Sequence, residues 1–565
     1  MSRTVDERTT TYVAEHAALD PVAATEMGVA GHDHELTDYS PEGYDARLEL
    51  ARAAVRDVVA AEPVDEREAV AREAFLERTR LAIEYDEAGY ARSEINVITS
   101  PIHELRGAFD LMPTATAEDW EAIGSRLAAV PGALAGLRVT LAEEAARGRV
   151  SAARQYAAVA TQLERWTGQT GSGSVFVDLV ARGVADGTVP GAMAGGLERS
   201  AVAATRAMAD LGLFLSDEME PRGRRTEAVG REHYALASRM HLGSTVDLEE
   251  TYAWGWAELA RIEDDMRATA ARITPQATGP DAIDVAVAHL DADPARRIEG
   301  REEFRAWMQQ LADRAVAELA DVHFDIPEPV RRIECCLAPT NDGGIYYSGP
   351  SEDFSRPGRM WWSVPEGIDT FHPWRETTTV FHEGVPGHHL QVGQTAYRAE
   401  LLNRWQRTMC WVPGHGEGWA LYAERLMDEL GYLEDPADRL GMLDGQGFRA
   451  ARVVVDIGMH LELEVPADNP FGFHPGERWT PELGYAFMRQ HSRDDDATLR
   501  FEVDRYLGWP GQAPAYKLGE RTWLEARAAA RRRHGDAFDL KAFHRAALDL
   551  GSLGLDPLVA ALDRI

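Results

Sequence analysis

Three cysteines in 565 residues are too few for a disulfide framework, and the count suits a reducing compartment. Two of them, Cys335 and Cys336, are adjacent. They lack the two-residue spacer of a zinc ribbon and read as core packing. Basic residues are also scarce: Lys and Arg number 59 against 93 Asp and Glu, for a formal charge of −34. A field of that sign repels phosphate backbones and anionic lipid surfaces, so neither a nucleic acid nor a membrane is an expected partner. An acidic, solvated surface accounts for the charge, and a cationic substrate is allowed without being required. Long apolar runs are missing as well. No stretch reaches about 18 uncharged apolar residues, the length that reads as a membrane span. The opening residues MSRTVDERTTTYVAEH carry charges throughout and no apolar core, so no secretory leader is expected and a cytoplasmic location follows by default.

What the chain does contain is helix-forming text. The hydrophobic fraction is 45% and the charged fraction 27%, ordinary for a globular protein. Length alone sets an upper bound of about four domains. Segments 45–62 and 66–92 are rich in Ala, Leu, Glu and Arg, with apolar residues at three-to-four spacing. The same pattern fills 118–147, 152–166, 197–215, 247–272 and 301–321. Pro131-Gly132, Gly171-Ser172-Gly173-Ser174, Pro190-Gly191 and Pro275 punctuate these helices as breakers. From Phe324 to Pro373 the text turns rich in Pro, Gly, Tyr and Trp. There, 345–350 and 359–365 look extended and predict a hairpin or small sheet. Helical text returns near Glu376, with helices expected at 417–430, 445–462, 480–491, 499–507, 518–533 and 540–564. The expected fold is mainly α, with a small β hairpin or sheet near 325–370. An N-terminal helical region, 1–324, is expected to pack with a site-bearing region, 325–565, as one continuous helical protein.

One cluster stands out. His382, Glu383, His388 and His389 fall within eight residues, in an apolar setting given by Val380, Phe381 and Val385. A hydrolytic zinc site takes about three protein ligands and keeps one position open, and a carboxylate beside a ligand can accept the proton of the attacking water. The familiar form places two histidines four apart on one helical face. Here position 386 is proline. On an ideal helix His388 lies about 240° around from His382, whereas His389 nearly eclipses it. Regular phase therefore favours His389. Yet Pro386 lacks a backbone donor and clashes with the carbonyl four residues back, and Gly384 and Gly387 loosen its flanks. A kink is expected, which also admits His388. For the third ligand the best candidate is Glu417, expected to open a helix after Pro413 and its glycines. Glu424 lies seven residues on and shares its face. It is expected to accept a hydrogen bond from a ligand histidine and so orient it.

These residues carry a resemblance. Phe381 to Gln391, Glu417 to Glu424, Arg449 to His460 and Tyr506 to Gly519 together resemble the domain-of-unknown-function 885 family of bacterial proteins, with weaker likeness around Ser100-Pro101 and Met112-Pro113. The resemblance spans nearly the whole chain. It implies a zinc-dependent, gluzincin-like peptidase with a large helical fold and a deep cleft. It also favours His388 over His389 as the second ligand and supports Glu417 as the third.

The expected mechanism gives Glu383 the role of base toward water and Tyr516 that of donor to the developing oxyanion, with Lys517 and Gln512 as further donors. A core aromatic capping a turn is the plainer reading of Tyr516. Arg452, Asp456 and His460 recur at four-residue spacing. They offer either a substrate-carboxylate site, a brace for the metal helix or an intrahelical charge ladder. Tyr346-Tyr347 and Trp361-Trp362 offer a cleft wall or simple packing. One divalent metal is expected. Zinc suits the mixed His/carboxylate set, and manganese, iron and cobalt accept it too. The leading reading is a metallopeptidase acting on peptides. The alternatives are a zinc amidohydrolase acting on a small modified amino acid or amide, and an inactive helical binding protein. Glu383 argues against the last, since a binder has no use for a base there. Substrate specificity and oligomeric state stay open, a homodimer included.

Overall fold

The computed structural model describes residues 4–171, 173–338, 344–365 and 367–564. Ser172 of the Gly171–Ser174 breaker lies outside the described residues. The chain is mainly α-helical with two small sheets. No helix among the described residues is long and apolar enough to cross a membrane.

The chain forms two compact units, 1–229 with 500–510 and 230–499 with 511–565. The composition shift near 325 thus falls inside the second unit. In the first unit, helices begin where capping chemistry allows. Ser40 caps Pro41–Ala60 with proline at the first position, and a Thr116/Asp119 capping box opens Ala117–Ala146. The long Ala117–Ala146 helix corrects one expectation, because it runs straight through Pro131. The lost backbone bond costs about 3 kcal/mol. Burial of Leu127, Val130, Leu134 and Leu137 on one face offsets that, at roughly 1.5–3 kcal/mol for each large apolar side chain. The expected 66–92 helix stops at Glu87, and Gly89 turns left-handed at φ 86° before a short Tyr90–Ser93 turn.

The second unit holds the strands. β1 (Ile298–Glu299) pairs antiparallel with β5 (Thr370–Phe371). β2 (Ile333–Leu337), β3 (Ile345–Ser348) and β4 (Gly358–Trp362) make a sheet in the order β2-β4-β3. The β3–β4 pair is antiparallel, as the hairpin reading expects, while β2 joins β4 in parallel. Cys335 on β2 is buried and Cys336 half-buried.

Five helices of this unit frame the candidate site: Pro373–Glu383, His388–Tyr397, Pro413–Glu429, Pro436–Leu461 and Ala515–His534. Pro436–Leu461 packs along Leu248–Ile273 and Pro373–Glu383, and Pro413–Glu429 packs along Ala515–His534. The last pairing is unusually close. A Cβ at Gly519 would stand 1.9 Å from the Gly414 carbonyl oxygen, and one at Gly418 would stand 2.4 Å from the Gly519 Cα. This explains a second departure from expectation. Pro413 and the glycines after it form the first turn of the helix, instead of a loop ending at Glu417. Neighbouring groups leave no room for a side chain at two of the glycines here, the Trp411 ring at Gly416 and the Gly519 backbone at Gly418. At the C-terminus the expected 540–564 helix splits into Leu540–Leu548 and Leu555–Leu562, with Gly551 at φ 69° between them.

Candidate metal centre

The helix bearing His382 ends at Glu383, and a new helix begins at His388. The intervening Gly384-Val385-Pro386-Gly387 turn replaces the single kinked helix expected from sequence. Its hydrogen bonds run from Gly384 N–H to Val380 O at 2.9 Å, from Gly387 N–H to Phe381 O at 3.1 Å and from His389 N–H to Gly384 O at 3.1 Å. Trp419 pins it from the facing helix by donating to the Pro386 carbonyl at 2.8 Å. Gly387 has no alternative, since a Cβ there would meet the His382 carbonyl oxygen at 1.9 Å. The turn swings His388 beside His382, with ring centroids 4.8 Å apart and planes at 90°.

The donors converge. Glu417 Oε2 stands 3.4 Å from His382 Nε2 and 3.4 Å from His388 Nε2. Donor atoms of His382, Glu383 and His388 also lie within 4.8 Å of one another. Of the two carboxylates, Glu417 is the better third donor, because one of its oxygens faces both imidazole Nε2 atoms. The Glu383 Oε2 atom is buried and has no hydrogen-bond partner among the described residues. Burial pushes the Glu383 carboxyl up from its ordinary value, against the pull of His388 and His382. For Glu417 burial works in the same direction, but His388 and His382 outweigh it and hold the group well below the carboxylate range.

Glu424 contacts His382 at the nitrogen turned away from Glu417. Its Oε1 lies 2.7 Å from His382 Nδ1 and its Oε2 accepts from Thr378 Oγ1 at 2.6 Å. With Nδ1 committed to Glu424, His382 presents Nε2 to the cluster. Burial lowers the His382 pKa, yet Glu417 and Glu424 more than reverse this and carry it to about 10. Carboxylates on three sides favour positive charge at this point, and two imidazoles with one carboxylate are a donor set that suits a divalent cation.

His389 is excluded as a ligand by its own partners. Its Nε2 donates to the Val330 carbonyl at 2.7 Å, and its Nδ1 accepts from Tyr347 Oη at 2.9 Å. Burial lowers its pKa to about 4, in keeping with a neutral ring that uses both nitrogens. The choice made by ideal helical phase therefore fails.

Tyr516 lies half-buried in the first turn of Ala515–His534, one turn before the Gly519 that packs against Gly414 and Gly418 on either side of Glu417. The Arg452 guanidinium lies between two rings, 4.5 Å from the Phe448 centroid and 5.0 Å from that of Tyr516. Asp456 braces the turn leading to Tyr516, its Oδ2 accepting from Gly511 N–H at 2.9 Å and Tyr234 Oη at 2.6 Å. His460, fully buried, stacks near Tyr234 at 5.5 Å and lies 3.8 Å from Asp456. Arg452 and Asp456 thus touch the segment that carries Tyr516, while His460 lies behind them against Tyr234.

Lys517 is a correction. Expected as a donor toward substrate, its Nζ is instead buried and satisfied by Glu258 at 3.0 Å, Gln446 Oε1 at 2.9 Å and Glu520. It ties helices together and has no hydrogen left to offer. Tyr346 stacks on Trp361 across β3 and β4 at 6.1 Å, whereas Trp362 is buried and Tyr347 serves His389.

Three residues near the site escaped sequence reasoning. Thr378 lies one turn before His382, so helical periodicity could have found it. Arg449 contributes positive charge near Glu383 and Glu424 from a helix far along the chain. Trp411 sits with its ring 5.8 Å from that of His388, and nothing in its local sequence marks it.

Similarity agrees with the fold. A candidate lipoprotein from Colwellia psychrerythraea, of known crystal structure, is 22% identical with a TM-score of 0.85, covering 99% of this chain and 98% of that one. A candidate lipoprotein of unknown function from Shewanella oneidensis is 17% identical with a TM-score of 0.72, covering 99% of each chain. No curated protein matches the chain. The profile of bacterial proteins of unknown function, DUF885, matches residues 21–562, and the chain belongs to that family.

Proposed function

We propose that this protein is a metal-dependent hydrolase, a zinc metallopeptidase that cleaves peptide amides. The observation that carries this reading is the meeting of His382 Nε2 and His388 Nε2 on a single Glu417 oxygen, each 3.4 Å away. Beside them the buried Glu383 Oε2 has no partner among the described residues. His382, His388 and Glu417 would hold the cation. Bound there, a divalent metal supplies Lewis acidity, which makes water a stronger acid and polarises a carbonyl.

The remaining work belongs to the chain. Glu383, whose basicity burial increases, takes a proton at its Oε2 from the attacking water and passes it to the leaving amine. Glu424 keeps His382 in the tautomer that presents Nε2. Tyr516, held by Arg452, donates its phenolic hydrogen to the oxygen on which charge develops. Trp419 and Gly387 preserve the turn that places His388.

The test is Glu383→Gln, read by elemental analysis and by mass-spectrometric digestion of a peptide library, with and without chelator. Retained metal and lost cleavage are expected. Cleavage by the variant at the wild-type rate would remove Glu383 from the mechanism. A wild-type protein that carries metal yet cleaves no peptide would overturn the peptidase reading.

A further inference from the structure

Trp411 exposes 47% of its surface, although tryptophan is among the costliest side chains to leave in water. Its position is nonetheless fixed. Cys410 Sγ lies 3.0 Å from the Ser552 carbonyl, and Val412 N–H donates to Ser552 Oγ at 3.2 Å, so both chain neighbours of Trp411 are tied to one point. Trp411 N–H itself bonds to Met409 O at 3.1 Å. The indole lies across the first turn of Pro413–Glu429. It occupies the space a side chain at position 416 would need, since a Cβ on Gly416 would stand 2.3 Å from the Trp411 Cη2. Gly416 immediately precedes Glu417, and the ring also lies 5.8 Å from that of His388. A rigid aromatic face, open to solvent, thus borders two of the three candidate ligands.

We infer that Trp411 is the specificity-determining wall of this site and receives an aromatic or large apolar side chain flanking the amide. This rests on the hydrolase reading. An amide brought to His382, His388 and Glu417 carries side chains on its adjacent α-carbons. One of them is within reach of an indole packed on the residue before Glu417 and on His388. Covering the exposed indole with another ring recovers apolar surface and adds a stacking contact, whereas an alanine side chain recovers almost none of it. Because Ser552 already holds the platform, little ordering cost attends binding.

The experiment is equilibrium binding by calorimetry, done in the full-length Glu383→Gln chain so that turnover does not consume the ligand. The probes are N-acetylphenylalaninamide, whose side-chain-bearing α-carbon has an amide on each side, and N-acetylalaninamide. The phenylalanine compound should bind more tightly by roughly ten-fold. Adding Trp411→Ala should erase that ratio, and adding Trp411→Phe should keep most of it, with metal content and thermal midpoint unchanged in both. An unchanged ratio with Trp411→Ala overturns the inference, as does the absence of any binding of the phenylalanine compound at millimolar concentration. Binding is read without catalysis. A protein that shows the Trp411-dependent ratio but hydrolyses nothing upholds the wall and refutes the hydrolase reading.

Discussion

Glu424 holds His382 through a 2.7 Å contact at Nδ1, and this fixes which nitrogen His382 turns toward His388 and Glu417. Replacing Glu424 with alanine leaves both that nitrogen and the Thr378 hydroxyl without their buried acceptor. Metal affinity should fall by roughly 10- to 100-fold, measured by competition with a chromogenic chelator. Glu424→Gln keeps an acceptor oxygen and should lose less. Equal affinity in all three proteins would mean that Glu424 does not orient a ligand.

The two adjacent histidines should separate cleanly. His388→Ala should empty the site by elemental analysis, while His389→Ala should retain the metal. The second change should cost stability instead, about 1–3 kcal/mol, because it strands the Val330 carbonyl and the Tyr347 hydroxyl. Chemical denaturation would measure the loss. Metal lost from His389→Ala alone would reverse the assignment.

Gly519→Ala tests the close helix pair. The added Cβ would fall 1.9 Å from the Gly414 carbonyl oxygen, a backbone atom that cannot rotate away. Forcing the helices apart should cost at least about 1–3 kcal/mol and should weaken metal binding, since Glu417 rides on the displaced helix. A protein with unchanged thermal midpoint and metal content would contradict the packing described.

Acid should destabilise the second unit through its buried neutral histidines. His544 Nε2 accepts from Tyr422 Oη at 2.7 Å, while Arg527 donates to that oxygen at 3.2 Å. Burial, aided by the positive charge of Arg527, lowers the His544 pKa to about 3 from 6.5. A depressed folded pKa means that the unfolded chain takes up the proton first. The stabilising contribution is therefore complete above about pH 6.5 and is lost as pH falls toward about 3. Urea titrations at about pH 7 and about pH 5 should show the wild type weakening with acid, and His544→Asn should flatten that slope by up to about 1.4 kcal/mol per pH unit. An unchanged slope would show that His544 is not held neutral.

Much of this was legible without coordinates. Helices leave a local signature, so the apolar periodicity of segments such as 45–62 and 118–147 could be read directly. The same holds for the donor cluster, because His382, Glu383 and His388 are close in sequence and Glu417 and Glu424 share one helical face. Pro131 misled because its penalty is local whereas the burial that offsets it is tertiary. The glycines before Glu417 misled for the opposite reason. They look like loop residues, but Gly414 lies where Gly519 approaches from a hundred residues away, and Gly416 lies under the Trp411 ring.

Period and charge, which are properties of neighbours along the chain, set the mainly helical character, the small sheet and the identity of the donors that can meet. Tertiary structure alone decided which donors do meet. His389 is removed from the centre by Val330 and Tyr347, Lys517 by Glu258 and Gln446, and Trp411 is brought to His388 by the anchor at Ser552. A side chain's chemistry is written in the sequence, but the partner that occupies or frees each of its atoms comes from packing between distant segments.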